Sequence, residues 1–129
     1  MPHPILVRAF QSLPQFPQLV QGLPRAGDAL VVEGLAGASG ALMVASLHRA
    51  LPQRIWVVVA TTPEAADHVA ADLEALLGDG SVSSYPQRES LPYEALESHV
   101  EIGGLRVEAL EALIAGRLSI LVTTARALQ

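Results

Sequence analysis

Ile55-Trp56-Val57-Val58-Val59-Ala60-Thr61-Thr62-Pro63-Glu64 is the stretch that decides the fold class. Its first six residues are apolar on both faces of an extended chain, as a parallel strand needs when helices cover both sides of its sheet. The last four change the periodicity: a threonine three residues before a glutamate, with proline in the first turn, gives the spacing of a capped helix start. A buried strand running straight into a capped helix is the first part of a βαβ unit.

Working outward from this stretch, the pattern repeats. The helix it opens carries Ala66, Val69, Ala70, Leu73, Leu76 and Leu77 on one stripe and stops at Gly78. A brief strand is expected from Ser81 to Tyr85, then a proline-bounded loop from Pro86 to Glu94. A helix from about Val100 to Ala115 follows, with Ile102, Leu105, Ala109, Leu110 and Leu113 inward and Gly116 at its end. Leu118 to Val122 reads as another buried strand, and Thr123-Thr124 as the cap of a helix from Ala125 to Gln129. A helix of one turn has no stability of its own, so the chain reads as part of something longer.

On the other side, Pro52 stops a small-residue helix from Ser39 to Leu51, and a glycine-rich turn leads back to Ala29-Leu30-Val31-Val32-Glu33, a run of strand length. Before it, Pro2, Pro4, Pro14, Pro17 and Pro24 leave room only for short helices, Ile5 to Leu13 and Gln15 to Gln21. The expected organisation is an N-terminal arm over 1–28 and an α/β unit over 29–129, a three-layer αβα sandwich on a parallel sheet.

The 129 residues are 50% hydrophobic and 16% charged, enough apolar mass for one packed domain. There is no cysteine, which excludes disulfides and cysteine-ligated metal. All 8 basic residues are arginine, so chemistry that needs a lysine amine is excluded. A net charge of -5 with scattered arginines argues against a strong nucleic-acid footprint. No apolar run approaches the roughly 20 residues that span a bilayer, and no secretory leader is evident at the N-terminus, which makes the cytoplasm the default expectation.

The turn Gly34-Leu35-Ala36-Gly37-Ala38-Ser39-Gly40-Ala41 occupies the place of a phosphate-binding loop, between a first strand and a first helix. In register with Gly-x-x-x-x-Gly-Lys-Ser/Thr, the opening glycine is Gly34, but the second is Ser39, the lysine position holds Gly40 and the hydroxyl position holds Ala41. The turn is kept while the charge and the metal ligand are gone. Two readings follow: a tight turn of small residues, or an anion site using Ser39 and the bare helix N-terminus. The dinucleotide spacing Gly-x-Gly-x-x-Gly is not met, and about 20 residues past Glu33 the chain has Arg54 and Trp56 rather than an acid for a ribose.

His3, His48, His68 and His99 are far apart, so no metal ligand set is expected. Gly37-Ala38-Ser39-Gly40 misses the nucleophile-elbow spacing by one residue. No catalytic constellation is assigned: Arg88, Glu89, Glu94 and Glu97 lie in or beside a proline-rich loop where carboxylates are solvated or cap the next helix. Tyr93 either packs on the sheet edge or anchors a partner, and Trp56 reads as core.

The degenerate turn, the segment Arg88-Glu89-Ser90-Leu91-Pro92-Tyr93-Glu94 and the closing Ile120-Leu121-Val122-Thr123-Thr124-Ala125-Arg126-Ala127-Leu128-Gln129 together resemble the N-terminal region of the bacterial transcription-repair coupling factors. The resemblance, over about Gly27 to Gln129, is to the first subdomain of their UvrB-homology module. It implies a P-loop NTPase-like fold with a degenerate phosphate loop, binding no cofactor. It implies too a non-catalytic part of an ATP-driven DNA translocase that displaces stalled RNA polymerase and recruits UvrA through the following subdomain. The positions it marks are Gly34, Gly37, Ser39, Gly40 and Ala41 in the turn, and Arg88, Glu89, Leu91, Pro92, Tyr93 and Glu94 in the loop. The alternative from the residues alone is a small nucleotide- or anion-binding enzyme domain built on Ser39.

Overall fold

The computed structural model of the chain describes residues 3–87 and 96–129, with side chains of the last segment described from Glu101. Trp56–Ala60 (β1), Val82–Tyr85 (β2) and Ile120–Thr124 (β3) form a parallel sheet in the order β1-β3-β2. In register, Trp56 lies beside Ile120 and Val57 beside Leu121, while on the other side Val82 lies beside Ile120. Pro63–Leu77 (α4) joins β1 to β2, and Leu96–Ile114 (α5) joins β2 to β3. The two connections run across the sheet in opposite directions, so two right-handed crossovers put α4 and α5 on opposite faces.

Alternation along the strands sorts the residues accordingly. Trp56, Val58, Val82, Ile120 and Val122 face the main core, where Ala66, Ala70, Leu73, Leu76 and Leu77 of α4 meet them. That stripe on α4 is the one its sequence periodicity predicts. The helix is capped by Thr62, whose Oγ1 accepts a hydrogen bond from the Ala65 N–H at 3.1 Å, so the cap lies one residue later than the Thr61 to Glu64 spacing suggests. On the opposite face Leu121 and Leu118 pack with Ala109 of α5.

Pro4–Gln11 (α1), Phe16–Gln21 (α2) and Ser39–Ala50 (α3) complete the set. Val7, Ala41 and Ala45 bring α1 and α3 into the main core. Gln11 Nε2 donates to the Ser46 carbonyl at 3.1 Å, and the His3 N–H donates to the Leu76 carbonyl at 3.2 Å. Phe10 and Phe16 meet edge to face, 6.1 Å apart, where α1 turns into α2.

Three expectations are corrected. Ala29 to Glu33 is not a strand: the run has no regular secondary structure and pairs with no strand, with Val31 78% exposed, and it lies along a groove with Phe10, Phe16 and Met43. The closing strand is Ile120–Thr124, two residues later than expected, and it ends in a 3-10 turn over Arg126–Leu128 rather than a helix. Thr123 and Thr124 are therefore strand residues, although Thr124 still caps the turn, its Oγ1 accepting from the Ala127 N–H at 3.2 Å. On α5, Leu105 and Leu110 are exposed, and the position between Ile102 and Ala109 on the inward face is taken by buried Arg106.

Candidate functional site

All strands of a parallel sheet end at one edge, and ligand and partner sites of open α/β sheets gather there. Here that edge carries Thr61-Thr62 after β1, Pro86-Gln87 after β2 and the last residues of β3. Thr123 Oγ1 donates to the Tyr85 carbonyl at 2.8 Å, and Thr124 Oγ1 donates to Gln87 Oε1 at 3.0 Å. Two neighbouring β3 hydroxyls thus hold the exit of β2. A cleft of about 280 Å³ opens between this edge, α4 and α5, lined among others by Asp67, Tyr85, Gln87, Ile102, Thr123 and Thr124.

Arg106 closes the arrangement from the α5 side. Its Nη1 donates to the Pro86 carbonyl at 2.7 Å and to the Ala127 carbonyl at 3.1 Å, and its guanidinium lies 4.1 Å from the centroid of the Tyr85 ring. A guanidinium suits this position because the two hydrogens of one amino group, Nη1, serve two carbonyls while its planar face stacks on an aromatic ring. One side chain therefore ties the exit of β2 to the turn after β3. Sequence reasoning missed Arg106 and the hydrogen bonds by which Thr123 and Thr124 hold Tyr85 and Gln87. The signal for Arg106 was available: a lone basic residue four after Ile102 and three before Ala109, inside an apolar stripe.

The glycine turn is built as its composition requires. Gly34 and Gly37 take φ of +82° and +56°, the left-handed region that side chains avoid. α3 begins at Ser39, its N-cap position is Ala38, and no side chain caps it. Ser39 and Gly40 are half-buried, with no atom within 4 Å of a Cβ built on Gly40. Ala41 is buried in the main core, so the position that would carry a metal-binding hydroxyl points a methyl group into packing. The second group of marked residues, Arg88, Glu89, Leu91, Pro92, Tyr93 and Glu94, lies outside the described residues; its described flank is Pro86-Gln87, held as above. Among the described residues no three His, Asp or Glu side chains gather into a metal site, and no helix is long and apolar enough to cross a membrane.

On α3, burial, and then the neighbouring Arg49 charge, lower the pKa of His48 below the usual 6.5. Its Nδ1 and the Nε1 of Trp56 are buried without a hydrogen-bond partner among the described residues.

The chain is 37% identical over 131 aligned residues, 95% of its length, to the transcription-repair-coupling factors of Mycobacterium bovis and Mycobacterium tuberculosis. It is 40% identical over 120 residues, 88% of its length, to that of Myxococcus xanthus. The chain is homologous to part of the transcription-repair-coupling factors. It spans about a tenth of the length of each of these relatives, as 10% of each is matched. No protein-family profile matches the sequence, and no solved structure matches it. The family resemblance read from the turn, the 88–94 loop and the closing strand is thereby shown.

Proposed function

We propose that this chain is a non-catalytic scaffold subdomain of a transcription-repair-coupling factor, a UvrB-like P-loop module that has lost nucleotide chemistry. In this reading it holds the neighbouring subdomain through which the whole factor recruits UvrA, while RNA polymerase and DNA are engaged by other parts. One observation carries it: the turn that would cradle a triphosphate has Gly40 where a lysine is needed and Ala41, buried in the core, where a magnesium-binding hydroxyl is needed. Backbone N–H groups alone supply neither the cation nor the metal.

The docking element is the loop Arg88 to Glu94, with Tyr93 as its anchor. Its support is the order of its flank: Pro86 and Gln87 are each held by a side chain from another element, Arg106 and Thr124. A loop whose base is fixed presents its side chains at a smaller entropic cost than one that is ordered on contact. Tyr93→Ala tests the assignment in the full-length factor. Docking of the next subdomain, followed by protection from limited proteolysis at the junction, should weaken, while the melting temperature of the 129-residue chain falls little. Equal losses in both would contradict it.

A further inference from the structure

The sheet is covered unevenly. On the face where α5 packs, Leu121 and Thr123 of β3 are buried, yet Val57 and Val59 of the adjacent strand β1 are 49% and 50% exposed. α5 sits on the β2 side: its Leu105, Glu108 and Ala112 line a cleft with Ser83 and Ser84. Val107, Leu110 and Ile114 recur at i, i+3 and i+7 on the other flank of the inward face, so they border the uncovered part of the sheet, and all three are exposed, Ile114 by 86%. Floor and wall together make an apolar shelf over β1.

Chain geometry identifies what would fill it. The step from β2 to β3 runs toward β1 and places α5 on this face. A further crossover from β3 in the same direction, right-handed like the others, must pass over β1 on the same face and land on the outer edge of β1, which pairs with no described strand. The turn Arg126–Leu128 leaves β3 at the edge where such a crossover starts. The relatives continue for most of their length outside the matched tenth.

The geometry points to an intramolecular docking site: the shelf formed by Val57, Val59, Val107, Leu110 and Ile114 seats an amphipathic helix of the longer chain, one that follows Arg126–Leu128 and feeds a fourth parallel strand onto β1. This rests on the reading of the chain as one part of a larger factor, and it adds the surface, the occupant and the direction of the connection. It also accounts for valines on both faces of an edge strand, a pattern that suits a strand buried within a sheet.

Thiol labelling of the full-length factor tests it, with modification at each position read by mass spectrometry. Val57→Cys and Leu110→Cys should label at least about 100-fold more slowly than Glu74→Cys, an exposed α4 position on the opposite face, and the protection should persist on dilution. Labelling of Val57→Cys and Leu110→Cys at the rate of Glu74→Cys would overturn the proposal. So would protection that disappears on dilution, since a second copy would then be the cover. Leu110→Glu adds a readout independent of thiol chemistry: within the full-length factor, the melting of the domain that contains this chain should drop while the 129-residue chain melts unchanged. An unchanged domain would count against the shelf. The Tyr93→Ala result stands apart from these, so a free shelf with a working loop removes this proposal alone.

Discussion

Arg106 has no counterpart in what hydrophobic patterning predicts. The apolar residues of α5 cover a wide arc, and choosing the inward face by hydrophobicity selected Leu105 and Leu110, which flank the true contact line on either side. The sheet takes only a narrow stripe, and at its centre lies an arginine that satisfies two carbonyls and stacks on Tyr85. Arg106→Met should destabilise the chain by about 2 to 4 kcal/mol in urea unfolding, because two carbonyls lose a charged donor and the ring loses its cation. Arg106→Lys should recover only part of this, since an ammonium can donate to carbonyls but has no planar face to stack on Tyr85. His48 makes a pH prediction. Its native pKa lies below the unfolded value, so the unfolded chain binds the extra proton first and stability is lost as pH falls from about 6.5 through the lowered native pKa. His48→Asn should flatten that part of the curve of unfolding free energy against pH. An unchanged slope would show that His48 does not carry it.

Elements were legible where one segment could bury its own apolar face. Apart from the one-residue displacement of the cap, α4 is read correctly throughout, with its stripe and its stop at Gly78, because all of these are local. Ala29 to Glu33 fails for the opposite reason. Apolarity says that a segment wants burial, whereas a strand also needs a neighbour with a free edge, and the sequence of the segment itself does not name one. The end of β3 shows a related limit: Thr123 and Thr124 suit a cap and a β-strand equally, and their hydroxyls serve both roles by bonding across to Tyr85, Gln87 and Ala127. Of the candidate site, the turn was legible because glycine reports backbone conformation directly. The network that holds Tyr85, Pro86 and Gln87 was not, because it joins residues some 20 to 38 positions apart. Two glycines separate local effects cleanly. Gly104, inside α5 with nothing within 4 Å of a built Cβ, should gain about 1 kcal/mol on substitution by alanine. Gly116, at φ +73°, should lose at least as much on the same change. Paired thermal melts check the two signs.

At the scale of the whole molecule, the chain is an α/β body homologous to about a tenth of the transcription-repair-coupling factors, and the proposed function is that it positions its neighbours and performs no phosphate chemistry of its own. That claim turns on a loop that has the opening glycine, Gly34, but Ser39, Gly40 and Ala41 at the positions of the second glycine, the lysine and the hydroxyl, and it is open to one direct check. A thermal melt of the 129-residue chain with and without about 1 mM Mg-ATP measures any binding to the folded state, because a ligand at 100 times its dissociation constant adds about 2.7 kcal/mol. Superimposable melts are expected. A rise of several degrees, the size expected from such a gain in a domain of this length, would contradict it and return Ser39 and the α3 N-terminus to the role of a working nucleotide site.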